Sequence, residues 1–339
     1  IFFWGLITAL AQIFALIFSQ TYEAFFLINN TRQIITQALY LISGVSIVSF
    51  LACYYTKIYK KYIFYSYLLF CLYGMYVVIQ YDFFDVPNAD FLSNLYQYSI
   101  FQNIPIGDLW LARLTSLSGE PSMFALTLLP IFIWAMETPK IYFFKLVFGI
   151  SLVLSFSTTA YVGLLLYLII KIIKDWHSFK TIFLVCIILI IVYFMLPDEI
   201  HDFLEVLVVG KISGEGISGA DRTDSFESGL KLFGDLPFPN QLFGIGFLLY
   251  RSAGFFASLL VSVGIVGFIV WTLLFLIPSI KINKTNPTVV NMCFVIYVMM
   301  MASVPEFCIN SIWISLGLAY HMLFINDSNF PHEKHELFP

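Results

Sequence analysis

Apolar runs long enough to approach or match the span of a lipid bilayer recur along the whole of this chain, and they leave it few folds to choose from. They fall at residues 1–18, 34–53, 63–80, 121–136, 141–156, 159–174, 180–196, 254–277, 288–304 and 311–325. Crossing the hydrocarbon layer takes about 20 helical residues, and backbone groups there must be satisfied within the chain, which favours helices. Composition points the same way: 60% of the residues are hydrophobic and 11% charged, against roughly 45–50% and about 25% in a soluble domain. The sequence therefore predicts an all-α, polytopic membrane protein, with about ten transmembrane helices in a single transmembrane domain over residues 1–339. The chain opens at Ile1-Phe2-Phe3-Trp4, already inside an apolar run and without methionine, so we expect a portion of a longer protein.

The segments between the runs alternate in character. One set is short and carries lysines: Lys57, Lys60 and Lys61; Lys140 and Lys145; Lys171, Lys174 and Lys180; Lys281 and Lys284. Lysine marks the cytoplasmic side of membrane proteins, so these segments, and both termini, are expected inside. The other set comprises 19–33, 81–120, a tight turn near Ser157, 197–253 and 305–310, expected outside. Two of these, 81–120 and 197–253, are large, and loops of that size are commonly functional or disordered. Arg32, Arg113, Arg222 and Arg251 all fall in the outer set. Keeping lysine inside accounts for acidic outer loops, but it does not account for arginine there. A guanidinium grips phosphate or carboxylate oxygens with two parallel hydrogen bonds, so the outer arginines suggest a phosphate-bearing substrate at the membrane surface.

Other chemistries find little support. The net charge of −4, with no basic patch, gives no footprint for nucleic acid. Of the five cysteines, Cys53, Cys71, Cys186 and Cys293 lie in apolar runs as small hydrophobes, Cys308 lies in an outer turn, and no Cys or His spacing suggests a metal site. Asp82-Phe-Phe-Asp85 reads as a solvated loop rather than a cation site.

Four stretches have residues suited to chemistry. In Arg113-Leu-Thr-Ser-Leu-Ser-Gly-Glu120-Pro121-Ser122, proline suits the first helical position, which puts Glu120 at a membrane-helix N-terminus. Its carboxylate would act as a base or orient a hydroxyl, or else serve as a cap with Arg113 as its ion-pair partner. Asp221-Arg222-Thr223-Asp224 opens an expected amphipathic outer helix, with Ser218 and Asp221 at capping-box spacing and Phe226, Leu230 and Phe233 on one face. Arg222 would face a phosphate beside the helix N-terminus or lie on a solvated surface. Gly244-Ile245-Gly246, followed by Arg251, permits either close approach of a ligand to the backbone or a simple bend before the next span, with Arg251 alternatively an interfacial anchor. In Ser155-Phe-Ser157-Thr158-Thr159-Ala160-Tyr161, the hydroxyls are expected to satisfy backbone groups at a tight turn.

Taken in order, the Arg113…Glu120-Pro121-Ser122 stretch, Leu154-Ser-Phe-Ser157-Thr-Thr-Ala160, the large outer loop with Arg222, Leu242-Phe-Gly-Ile-Gly-Phe247, and the helix with Gly264 and Gly267 resemble the O-antigen polymerase (Wzy-type) family and the related O-antigen ligases. The resemblance spans roughly residues 110–270. It implies a GT-C-like glycosyltransferase of the bacterial inner membrane with its active site facing the periplasm. Such an enzyme joins repeat units carried on undecaprenyl pyrophosphate, using neither nucleotide sugar nor metal nor other cofactor. The donor glycan, the acceptor glycan and the bilayer would be its partners, with room for a chain-length regulator. Carried onto this sequence, Arg113, Arg222 and Arg251 would stabilise the departing pyrophosphate and Glu120 would activate or position the attacking hydroxyl. Gly244, Gly246, Asp221 and Ser122 would line the substrate. Two departures matter: Thr158 and Thr159 follow the mid-chain serine where many relatives have a basic residue, and no histidine lies between His201 and His321. The second argues for a polymerase over a ligase, and a transporter or flippase is the remaining alternative.

Overall fold

The computed structural model describes residues 30–84, 103–106, 109–174, 217–246, 250, 252, 254–303 and 309–327. Those residues are predominantly helical. The helices are α1 (Asn30–Tyr54), α2 (Lys57–Phe84), α3 (Pro121–Glu137), α4 (Tyr142–Leu154), α5 (Thr158–Lys174), α6 (Ile217–Asp235), α7 (Phe238–Phe243), α8 (Phe255–Ile282), α9 (Pro287–Ala302) and α10 (Asn310–Asp327). Eight of the expected apolar runs coincide with helices; 1–18 and 180–196 lie outside the described residues. Two helices, α2 and α8, are long and apolar enough to cross a membrane by length and composition; the other apolar helices are shorter.

The all-α expectation has one small exception. Inside the segment expected as a polar loop, β1 (Asn103–Ile106) and β2 (Leu109–Ala112) form an antiparallel hairpin, with Asn103 opposite Ala112 and Ile106 opposite Leu109.

The chain divides into two compact units, one of Phe64–Asp221 and one of Ile1–Ile63 with Arg222–Pro339. In the first, α3 is the central element. Phe124, Ala125, Leu126, Leu128, Leu129, Ile131 and Ile133 are all fully buried, so the helix is enclosed on every side. Its neighbours α4 and α5 bury only a stripe each and leave Leu146, Ile150, Val153, Leu165, Ile169 and Ile173 exposed. At one end of this unit Glu137 accepts hydrogen bonds from Lys171 Nζ at 2.7 Å and from the Tyr167 hydroxyl, tying the end of α3 to α5. At the opposite end the Leu114 N–H donates to Leu154 O at 3.0 Å and the Ser116 hydroxyl to Phe70 O at 2.7 Å. Leu114 fits over Gly74, where a Cβ would come within 2.8 Å of its Cδ2.

In the second unit α1 runs along α10. Small residues bring the two helices together: Gly44 faces the Trp313 indole, and Gly317 faces Leu51 with room for no side chain of its own. Trp271 lies buried among Phe255, Phe275 and Trp313. The Thr272 and Tyr297 hydroxyls meet at 2.8 Å between α8 and α9. One of the two long helices is broken: within α8, Gly264 has φ 68° and ψ −174°.

Candidate functional site

The strongest cluster of expected site residues is at one end of the Phe64–Asp221 unit, the end away from Glu137 and Lys171. Its geometry begins with strand alternation. Ala112 and Leu114 turn inward and are 2% and 0% exposed, so Arg113 between them turns the other way. The Ala112 N–H donates to both Asp82 carboxylate oxygens, at 3.0 and 3.2 Å. The Leu114 N–H is held by Leu154 O. The 111–112 and 113–114 peptide groups are therefore both fixed, one residue before Arg113 and directly after it.

The Arg113 guanidinium reaches across to the C-terminus of α4. Its Nε donates to Ser155 O at 3.3 Å and its Nη2 to Phe156 O at 2.9 Å. Helix ends of this kind usually close on a glycine in the left-handed region, and their last carbonyls favour cations. Here Phe156 occupies that position, with φ 45°, and its N–H bonds to Val153 O at 3.0 Å. A bulky residue there is strained. Arg113, fixed as it is, supplies the carbonyls with charged donors. The Ser155 hydroxyl turns back to Leu152 O at 2.7 Å, as expected of a hydroxyl-rich turn.

Glu120 and Ser122 open α3 at the same end. Pro121 is the first helical residue, and Glu120 caps the helix through its backbone: its carbonyl accepts the Phe124 N–H at 2.9 Å. Its side chain makes no capping bond, is exposed, and lies 3.4 Å from the Ser122 hydroxyl, which donates to it. Glu120 forms no ion pair among the described residues, where the bridge is Lys171–Glu137. The carboxylate at this helix start is thus not used up by the helix.

Sequence reasoning missed Asp82. It reads as part of a solvated loop, yet it lies in the last turn of α2 and bonds the backbone beside Arg113. An acidic residue facing the carbonyls of a helix C-terminus opposes the helix dipole, and that conflict is the signal which points to a specific partner.

The remaining expected residues fall elsewhere. Arg222 lies in α6, in the other unit, one residue after Asp221; the side chains of both are outside the description, as is that of Arg32 in α1. Arg251 lies outside the described residues. The helix expected to be amphipathic is present as α6. It starts at Ile217, so Ser218 sits inside its first turn rather than at its cap. Phe226, Leu230 and Phe233 are each half-buried, with Phe226 against Phe256 and Phe233 against the cluster of Leu236, Ile245 and Val261. Gly229 is buried beside Ala257 and Tyr250, and burial raises the Tyr250 phenol above its ordinary pKa, which keeps it neutral.

Gly244 and Gly246 have φ of 78° and 128°, so both use the freedom for which glycine was expected. What approaches Gly244 is the chain itself. A Cβ at Gly244 would overlap the Ser262 carbonyl, and one at Gly264 would overlap the Leu242 carbonyl. The Ile245 and Gly246 N–H groups donate to Val261 O and Ser262 O at 3.0 and 3.1 Å. These bonds give the carbonyls beside the break in α8 new partners. Asn240, 1% exposed, locks the same turn: its Nδ2 donates to Gly244 O at 3.2 Å.

Compared with family models, curated proteins and solved structures, the chain matches none.

Proposed function

We propose that this chain is a polysaccharide polymerase of the O-antigen polymerase type, a multi-pass glycosyltransferase of the bacterial inner membrane acting at the periplasmic face. The observation that carries the reading is the gathering of Arg113, Glu120 and Ser122 at one end of a helical unit whose other end bears Lys140, Lys171 and Lys174. That polarity is the one expected of a lysine-inside membrane protein. The exposed apolar stripes of α4 and α5 suit lipid; among the described residues eight spans follow if the shorter apolar helices also cross, and the apolar runs 1–18 and 180–196 of the sequence would bring the number to about ten.

In the proposed reaction an acceptor sugar hydroxyl attacks the anomeric carbon of the donor glycan. A new C–O bond forms as the bond to undecaprenyl pyrophosphate breaks, and the electron pair leaves with the pyrophosphate. Glu120 takes the hydroxyl proton. Negative charge grows on the leaving pyrophosphate, and fixed cations there lower the barrier. Arg113 suits this role because two carbonyls at the end of α4 hold its guanidinium in place. Arg222 and Arg251 are assigned the same role, with Asp221, Ser122, Gly244 and Gly246 beside the substrate. No metal or other cofactor enters the scheme, and a chain-length regulator remains a candidate partner.

The test is polymerisation in a host lacking its own polymerase, comparing wild type with Arg113→Ala, Arg222→Ala and Arg251→Ala by glycan length on a gel. A ladder from wild type that collapses to single repeat units in the variants, at equal expression, supports the reading. Full ladders from all three remove the arginine mechanism. One observation favours a second reading, a flippase: transporters also break helices within the membrane, and α8 is broken at Gly264. In that case the host without this chain would lack lipid-attached glycan altogether, single units included. Ligase activity would instead leave polymer unattached to lipid A core.

A further inference from the structure

Arg113 owes its position to a residue that takes no part in the proposed reaction. Asp82 lies in the last turn of α2, where unpaired helix carbonyls disfavour a carboxylate. Both of its oxygens are within hydrogen-bond range of one donor, the Ala112 N–H, at 3.0 and 3.2 Å. That donor ends β2, and the next residue is Arg113. On the far side the Leu114 N–H is held by Leu154 O at 3.0 Å. Ala112 and Leu114 are almost wholly enclosed. Arg113 meets Ser155 O and Phe156 O with two separate nitrogens, so keeping both bonds at once depends on where the backbone at residue 113 is held. Without the Asp82 bond, the end of β2 loses its tie to the last turn of α2, while Leu114 and Ser116 still meet α2 at Gly74 and Phe70.

We propose that Asp82 is a positioning residue: it anchors the hairpin end so that the Arg113 guanidinium is held over the α4–α5 turn. The geometric part stands on these contacts alone. Its consequence for turnover rests on the proposed function. Misplacing a charge by about 1 Å costs up to about a hundredfold in rate, so loss of the anchor is expected to slow polymerisation by about ten- to a hundredfold without removing any group that touches substrate.

The experiment uses the full chain in lipid nanodiscs, with Asp82→Ala and Asp82→Asn. Trypsin cleavage after Arg113 is followed by mass spectrometry, with cleavage after Lys140 and Lys171 as internal references, and glycan length is read in parallel. Asparagine keeps an oxygen that accepts the Ala112 N–H, so it is the rescue variant. The expected result is cleavage after Arg113 at least about tenfold faster in Asp82→Ala, unchanged reference sites, near wild-type protection in Asp82→Asn, and glycan length following the same order. The proposal is overturned if Asp82→Ala protects Arg113 as well as wild type does. It is also overturned if Asp82→Asn is as exposed as Asp82→Ala, since the charge and not the bond would then matter, or if all sites open together, since Asp82 would then hold the whole unit. Cleavage as expected with undiminished ladders upholds the anchor and removes Arg113 from the proposed chemistry.

Discussion

Replacing Gly264 with alanine tests whether the break in α8 is held by the chain or merely tolerated. Its φ of 68° and ψ of −174° lie in a region reserved for glycine, where another residue costs about 1–3 kcal/mol. The new methyl would also overlap the Leu242 carbonyl. Backbone cannot rotate away as a side chain can, so the end of α7 has to retreat. The Ile245–Val261 and Gly246–Ser262 backbone bonds would stretch with it, at about 0.5–1.5 kcal/mol each. The total is on the order of 2–6 kcal/mol. At about 2–4 °C per kcal/mol for a domain of this size, melting falls by roughly 4–24 °C. Gly234 is the matched control: a Cβ there meets nothing within 4 Å, and in a helix alanine is favoured over glycine by up to about 1 kcal/mol. The assay is thermal unfolding of purified protein, followed by thiol labelling of Cys293, which is fully buried in the same unit. A Gly264→Ala protein melting within about 2 °C of wild type, or no better than Gly234→Ala in distinguishing the two sites, would refute the argument.

Three further outcomes follow from the geometry. Gly44→Ala drives a methyl into the Trp313 indole between α1 and α10, and overpacking of this kind costs about 1–3 kcal/mol; an unchanged melting temperature would show that the helices separate freely. Glu137→Leu leaves Lys171 and the Tyr167 hydroxyl without their shared acceptor; because Lys171 is about a third exposed, the expected loss is only about 1 kcal/mol, and Glu137→Gln is expected to recover part of it in the same melting assay. Glu120→Gln removes the proposed base while sparing the backbone cap, so polymerisation is expected to drop by about 10²–10⁴-fold with melting unchanged; full activity in isolated membranes would end the base assignment.

The helices were legible because their signal is local. A run of apolar residues closed by a proline at its first turn, as at Pro121, carries its own instructions, and α3 occupies nearly the residues the sequence predicts. Bounds shifted both ways: α2 runs past its apolar stretch through Tyr81 to Phe84 and back to Lys57, because a helix need not end where its apolar residues do, whereas α4 ends at Leu154, before its apolar stretch is complete. The hairpin was not legible. Asn103–Ile106 and Leu109–Ala112 are short and flank Gly107-Asp108, a pair typical of hairpin turns, but Pro105 within the first segment argues against a strand. The partners of Arg113 were equally hidden. Its side chain bonds carbonyls 42 and 43 residues away, and a carbonyl is present at every position, so no residue type announces it.

The glycines show how a correct local reading leaves its object open. Positive φ at Gly244 and Gly246 is what a Gly-Ile-Gly sequence suggests, and freedom of approach to the backbone is what such glycines offer. Sequence alone does not say what makes the approach. In this chain Gly244 and Gly264 each receive the other segment's backbone, and the interlock solves a problem that a break in a membrane-length helix creates. Carbonyls cut off from their usual partners would be costly in lipid, and the Ile245 and Gly246 N–H groups supply the missing bonds. The break and the glycine turn therefore account for each other. Neither has to be explained by a ligand, and Arg113, Glu120 and Ser122, the side chains proposed to meet phosphate and sugar, stand at one end of a single unit.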